Sequence, residues 1–239
     1  MIDLHHVGTP NGHKVTIALE EFALPYRTIA YNLLNGDHFT PAFREINPNN
    51  KLPVIVDDEP GDGGAPLPVF ETGAILIYLA EKCGQLLPKD TRRRTQAIQW
   101  LMWQMAGLGP MHGQAHHFVR YGPEGQTYAT SRYVNEARRL LNVLEYRLSQ
   151  AEYLAEDYSI ADIACWPWVR AISLIDLVLS DFPHTKAWWD KIAARPAVVA
   201  GTHSRELASP ASYGKKRMEL TPQQWSNLFG DKMLSAAKI

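Results

Sequence analysis

Asn49-Asn50-Lys51-Leu52-Pro53-Val54-Ile55-Val56 decides the reading of this chain. Val54-Ile55-Val56 is a short β-branched run, the composition of a buried strand. Pro53 stands at its entry, one of the few places where a sheet tolerates proline. A cis bond before Pro53 would turn the Leu52 N–H and C=O from a neighbouring strand toward an extended ligand. The residues alone leave the isomer open. Asp57-Asp58 then turns the chain.

Working back toward the N-terminus, Met1 to Val7 reads as a strand that stops at Gly8-Thr9-Pro10-Asn11-Gly12, a dense turn signal. Val15, Ala18, Leu19 and Phe22 follow at helical spacing, and Pro25 to Tyr31 reads as a second strand, giving a βαβ opening. Pro41 to Ile46 is a short helix. Working forward, Pro66 to Phe70 is another strand, and Glu71 to Cys83 is a helix closed by Gly84.

Pro88-Lys89-Asp90 reads as a linker, and no strand pattern follows it. Asp90 to about Val119 reads as one long helix bent at Gly107-Leu108-Gly109-Pro110. Thr130 to Leu148, Ser159 to about Leu177, Pro183 to Arg195 and Ala197 to Leu207 are further helices. Thr221 to Leu234 carries Trp225, Leu228, Phe229 and Met233 at the spacing of a last amphipathic helix. The expected layout is a small α/β unit over residues 1–86, an all-α unit over 90–208 and an extension over 209–239.

Composition agrees with a globular chain. Of 239 residues, 46% are hydrophobic, 21% charged and 10% aromatic, which excludes wholesale disorder. Two cysteines are too few to staple a secreted scaffold. The start of the chain has no basic region followed by an apolar run, so no signal peptide is expected. The uncharged stretch Thr95 to Val119 carries Gln, His, Gly and Pro and does not read as a membrane span. A cytoplasmic protein is the expectation. The net charge of -1 divides into -6 for residues 1–86 and +5 for the rest. Neither part is basic enough to call for nucleic acid.

Several segments carry chemistry. Thr9-Pro10-Asn11-Gly12 opens a helix, where a thiolate would gain from the helix dipole, the Asn11 amide and the Thr9 hydroxyl. Read alone, the same turn is an ordinary cap. Glu71-Thr72-Gly73 opens a helix directly after a strand, a place for a carboxylate, with Glu71 able to hold an ammonium. Ser159-Ile160-Ala161-Asp162 is a capping box, a folding signal that stabilises its helix by about 1 kcal/mol. His112 and His116 have zinc-ligand spacing, but no Glu or Cys completes a set, so no metal is expected. Cys83 and Cys165 lack a Cys-x-x-Cys partner and read as packing residues.

Taken together, Thr9-Pro10-Asn11-Gly12, Asn49-Asn50-Lys51-Leu52-Pro53, Phe70-Glu71-Thr72-Gly73-Ala74-Ile75 and Ser159-Ile160-Ala161-Asp162 resemble the cytosolic glutathione transferase superfamily. The match runs to about residue 207. Gly107-Leu108-Gly109-Pro110-Met111, His116-His117-Phe118 and Tyr158 to Trp168 are similar to the bacterial nu class of glutathione-dependent disulfide-bond oxidoreductases.

The resemblance implies a thioredoxin-like N-terminal domain, an all-α C-terminal domain and a homodimer. It implies glutathione as cosubstrate, with small-molecule disulfides or electrophiles as the other substrate and neither nucleic acid nor membrane as partner. Carried over, Thr9 and Asn11 face the glutathione sulfur, and Leu52, held by a cis Pro53, pairs with the cysteinyl unit. Glu71 and Thr72 hold the γ-glutamyl end, Lys51 stands nearby and Arg132 reaches the ligand. His38 replaces a usual Gln and makes that contact pH-sensitive. Thr72 replaces a usual Ser.

The turn at residues 9–12 offers no Cys, Ser or Tyr, so the reactive sulfur would be the ligand's. Disulfide reduction with weak transferase or peroxidase side activity is the expected function. Conjugation of electrophiles uses the same thiolate, and a non-catalytic glutathione-binding module, as in fungal nitrogen regulators of this fold, is the third reading.

Overall fold

A computed structural model describes residues 1–203 and 215–236. Four strands form one mixed sheet in the order β2-β1-β3-β4. Strand β1 (Ile2–His6) pairs parallel with β2 (Tyr26–Ala30) and antiparallel with β3 (Val54–Asp57), and β3 pairs antiparallel with β4 (Leu67–Phe70). Leu4 lies opposite Thr28 on one side and Ile55 on the other. The parallel pair needs a crossover, which α1 (Pro10–Glu21) supplies.

Alternation fixes what the sheet buries. Ile2 and Leu4 are buried on β1, as are Val54 and Ile55 on β3. Ile2, Leu4 and Ile55 pack with Val15, Ile17 and Leu19 of α1 and with Ile75, Leu76 and Leu79 of α3 (Thr72–Cys83), while Val54, next along the strand, faces the other side of the sheet. Gly84 ends α3 at φ 66°, a left-handed position that a residue with a Cβ adopts at a cost. The short helix α2 (Pro41–Ile46) is capped by Thr40, whose hydroxyl accepts from the Phe43 amide at 3.2 Å.

The helical unit follows. It comprises α4 (Thr91–Trp103), α5 (Gly109–Tyr121), α6 (Thr127–Leu148), α7 (Ile160–Arg170), α8 (Pro183–Ala193) and α9 (Pro196–His203). Two short helices, α10 (Pro222–Phe229) and α11 (Asp231–Ala236), come after the residues left undescribed. The units are joined through one core, with α1 packed on α7 and α9. The Thr16 hydroxyl of α1 donates to the Gly201 carbonyl of α9 at 2.6 Å.

The expected fold class, an α/β unit followed by an all-α one, holds, with three local differences from the expected elements. The bend between α4 and α5 is a π-helical turn, Gln104–Leu108, which delivers Pro110 into the first turn of α5 without breaking the rod. Helix α7 ends at Arg170 instead of running to Leu177, because a 3-10 turn over Ile172–Ile175 replaces its last turns. The single helix expected over 221–234 is two helices, parted at Gly230. Residues 204–207 of the expected helix over 197–207 lie outside the described residues, as do 209–214 of the extension.

The capping box at α7 forms. The Ser159 hydroxyl accepts from the Ala161 amide at 3.3 Å, and Asp162 Oδ2 accepts from the Ser159 amide at 3.0 Å. Asp162 Oδ1 also accepts from the Leu154 amide at 3.0 Å and the Trp188 indole at 2.9 Å. The Ser159 hydroxyl donates to Oδ2 as well, at 3.1 Å; the carboxyl is fully buried, and desolvation raises it to about 6 despite these four hydrogen-bond donors. The helix cap thus also ties α8 to the loop before α7.

Candidate functional site

A cavity of about 520 Å³ opens where the C-terminal end of β1 meets α5, α7 and the two last helices. Its floor is the turn Thr9–Asn11 and the loop ending at Leu52. The Leu52–Pro53 bond is cis, and Leu52 lines the cavity. The loop before it is held from below: Asn47 Nδ2 donates to the Lys51 carbonyl at 2.7 Å, and Asn47 Oδ1 accepts from the Asn49 amide at 2.9 Å.

At the head of α1, Thr9 is the cap, and its hydroxyl oxygen accepts from the Gly12 amide at 3.3 Å. Its own O–H proton remains to donate elsewhere. Asn11 follows in the first turn. Trp168 Nε1 donates to Asn11 Oδ1 at 3.0 Å. That bond uses the amide oxygen and leaves the Asn11 NH2 as the cavity-side donor. A helix N-terminus with a hydroxyl and an amide side chain on the cavity wall has the chemistry to suit a thiolate.

His38 lines the cavity and is buried. Burial, together with the Lys51 charge, brings it down to about 4, so the ring is neutral near pH 7. The pH sensitivity expected at this position therefore falls in acid. Desolvation also lowers the Lys51 ammonium. Lys51 Nζ lies 3.4 Å from the Met233 sulfur.

Four expected site residues do not reach the cavity wall, the buried Pro53 among them. Arg132 is more than half exposed on α6 and pairs with Glu136 at 3.8 Å. Arg120 takes a cation to the wall instead; it is buried and donates to the Tyr121 hydroxyl at 3.0 Å and the Lys215 carbonyl at 2.9 Å. Glu71 is exposed at φ 68°, just before α3, and Thr72 is buried away from the cavity. The Thr72 hydroxyl accepts from Lys14 Nζ at 3.2 Å and donates to the Met105 sulfur at 3.4 Å. What the head of α3 offers outward is its first-turn amides.

Sequence reasoning missed Arg120, Trp168 and the tail residues Leu228, Phe229 and Met233, all on the wall. Arg120 was accessible to it, since His112, His116 and Arg120 repeat at i,i+4 and share one buried helix face. His112 Nδ1 bonds the Leu108 carbonyl at 2.8 Å, and burial pushes His112 down to about 4 and His116 to about 3. Both are neutral; His112 is a packing histidine, whereas His116 also lines the cavity. Among the described residues no group of three His, Cys, Asp or Glu side chains is arranged to hold a metal ion. No helix among them is long and apolar enough to cross a membrane. Neither Cys83 nor Cys165 lines the cavity. Cys165 is fully buried, and desolvation raises its thiol well above the ordinary value.

Comparison with known proteins gives the chain's relatives. Residues 1–81 match the family described as glutathione S-transferase, N-terminal domain, and residues 110–196 match glutathione S-transferase, C-terminal domain. The chain is 52% identical over 213 residues to the disulfide-bond oxidoreductase YfcG of Escherichia coli K12, covering 89% of this chain and 99% of that protein. A glutathione transferase family member of Pseudomonas fluorescens Pf-5, solved with two glutathione molecules bound, superimposes with a TM-score of 0.79 at 44% identity, over 84% of this chain and 91% of that one. A glutathione transferase of Pseudomonas putida, solved with one glutathione disulfide bound per subunit, gives 0.78 at 43% identity, over 84% and 90%.

Proposed function

The chain belongs to the glutathione S-transferase family, and from that premise we propose that it is a glutathione-dependent disulfide-bond oxidoreductase whose reactive sulfur is the ligand's. The Trp168–Asn11 hydrogen bond carries this reading, because it aims an amide N–H into the cavity at the head of α1. The absence of both cysteines from the cavity wall supports it.

In the proposed reaction, glutathione loses its thiol proton to solvent. The thiolate is stabilised by the Asn11 amide, the Thr9 hydroxyl and the α1 dipole. A free thiol of pKa about 8.5 is only a few per cent ionised at pH 7, so each unit of lowering is worth about 1.4 kcal/mol. The thiolate attacks the glutathionyl sulfur of a mixed disulfide. One S–S bond forms as the other breaks, glutathione disulfide results, and the released thiolate takes a proton from water.

Leu52 beside Pro53 holds the cysteinyl unit, with Lys51 and neutral His38 close by. Glu71 and the Thr72 amide take the γ-glutamyl end beyond the cavity. Arg120, nearer than Arg132, supports the anionic ligand. Residues 1–86, 90–208 and 209–239 are the thioredoxin-like, helical and extension parts of this reading, and a cytoplasmic homodimer completes it. Electrophile conjugation draws on the same thiolate and is the expected side activity, with weak peroxidase activity.

Purified protein, glutathione and a glutathione mixed disulfide, coupled to NADPH oxidation through glutathione reductase, test the proposal. Disulfide turnover well above conjugation of a chloronitroarene is expected. Strong conjugation with no disulfide turnover would overturn it.

A further inference from the structure

Lys14 sits on α1 with 1% of its surface exposed. Its Nζ donates to Gln104 Oε1 at 2.7 Å and Thr72 Oγ1 at 3.2 Å, and lies 3.5 Å from the Met105 sulfur. All three partners are neutral. An ammonium buried among neutral groups is costly, and an apolar side chain of the same length would pack there without that cost. Packing therefore does not account for a cation at this place.

Its position does. Lys14 lies directly behind the first turn of α3 and touches the side chain of the residue that opens that helix. The other wall of the slot is the π-helical turn, whose Gln104 holds the ammonium and whose Met105 side chain packs close on Gly73, 3.1 Å from where an added Cβ would sit. π-Helical turns recur at functional sites because they re-aim side chains out of helical register.

We propose that Lys14 is a positioning residue for the carboxylate that docks at the head of α3: it fixes Thr72 through the hydroxyl and supplies a buried countercharge behind the α3 amides. This rests on the reading of Glu71 and Thr72 as the γ-glutamyl site. The group docking there is an amino acid head, with its carboxylate on the amides and its ammonium toward exposed Glu71.

A consequence follows for protons. Burial brings Lys14 down to about 7, against weaker opposing effects of Cys165 on α7 and Glu71 at the head of α3. The π-helical turn contributes only neutral Gln104 and Met105. The helix α9, packed on α1 through Thr16, brings exposed His203. On α1 itself His13 faces His6 of β1, ring centroids 6.3 Å apart. A docked carboxylate favours the charged ammonium. Above pH 7, ligand binding should draw a proton onto Lys14.

Titration calorimetry with S-methylglutathione, which has no free thiol, tests this in two buffers of different ionisation heat. At pH 8 the wild type should take up a fraction of a proton, and its Kd should weaken about tenfold between pH 6.5 and 8.5. Lys14→Met should bind more weakly at pH 6.5 and show neither uptake nor that slope. Gln104→Glu, which keeps Lys14 but holds it charged, should bind without uptake, and it serves where Lys14→Met does not fold. Titration of the ligand's own amine is common to all three proteins, and the uptake and slope read here are those in excess of it. Binding without proton uptake by the wild type, or a Lys14→Met slope equal to the wild type's, would overturn the role of Lys14 alone. No binding at any pH would overturn the glutathione reading and this proposal with it.

Discussion

Trp168 of α7 and Asn11 of α1 lie 157 positions apart, yet the indole N–H meets the amide oxygen at 3.0 Å. The helical unit thus orients a donor that belongs to the α/β unit. An unheld Asn presents either end of its amide to a ligand, whereas this one presents N–H. Asn11→Ala should lower kcat/KM for disulfide reduction about tenfold to a hundredfold, by removing a donor aimed at developing charge. Trp168→Phe keeps the packing and should give part of that loss. In both, the thiol of bound glutathione should titrate at higher pH, read from ultraviolet thiolate absorbance. Loss of thermal stability with unchanged turnover would make the turn a mere helix cap.

Acid should destabilise the protein through its histidines. His38 and His112 are held at about 4 and His116 at about 3 by burial. The unfolded chain takes these protons near pH 6.5, and the folded chain refuses them. Stability is therefore lost as pH falls below about 6.5, by up to about 1.4 kcal/mol per pH unit for each ring. Asp162 opposes this: raised to about 6, it favours the folded state as pH falls through that value. Three rings against one carboxyl leave a net loss. Urea unfolding at pH 7 and pH 5 checks the sign, and His116→Gln should flatten the difference.

Asp162 serves both in the cap of α7 and in holding α8. Asp162→Ala leaves the Leu154 amide, the Ser159 amide and the Trp188 indole without their acceptor in a buried place. Each such group costs about 1–3 kcal/mol, so the variant should lose several kcal/mol in urea unfolding and fail to fold in the warm. Asp162→Asn keeps one acceptor and should lie between.

What was legible in the sequence was local. The turn at Thr9–Asn11, the proline at residue 53 and the box at Ser159–Asp162 each advertise themselves within a few residues, because caps and strand entries use short-range hydrogen bonds. Lys14 did not. A lysine between apolar positions of a helix reads as solvated, and only Gln104 and Thr72, brought from other elements, make it a buried partner. The place of Arg132 was hidden for the matching reason: it lies exposed on α6, 3.8 Å from Glu136 on the next turn, while Arg120 reaches the cavity from α5. The π-helical turn was hidden too, since its glycine-proline run is equally consistent with a plain kink.

The tail helices close one side of the cavity. Asn227, buried, donates to the Leu34 carbonyl at 2.8 Å, Asn50 donates to the Ala236 carbonyl at 3.3 Å, and the Phe229 ring lies 4.7 Å from that of His117 and 4.9 Å from that of Tyr121. Asn227→Ala removes the central tie and strands the Leu34 carbonyl. Limited proteolysis should then cleave within residues 215–236 faster than in the wild type, with the rest of the chain intact. An unchanged cleavage rate would place the anchor in the aromatic contacts instead.

The cysteines give the sharpest test of where the reactive sulfur resides. Cys165 is sealed inside α7 with its thiol held protonated, and Cys83 sits half-buried at the end of α3, its thiol also raised by desolvation. A nucleophilic thiol needs the opposite, a lowered value and an open approach. Cys83→Ser combined with Cys165→Ala should therefore leave disulfide turnover within about twofold, since neither residue lines the cavity. Cys165→Ala removes one sulfur from a packed core and should cost about 1–2 kcal/mol, so assays belong well below the melting temperature. A drop of a hundredfold or more with an unchanged melting profile would assign the chemistry to a protein thiol. It would also make the Asn11 amide a spectator.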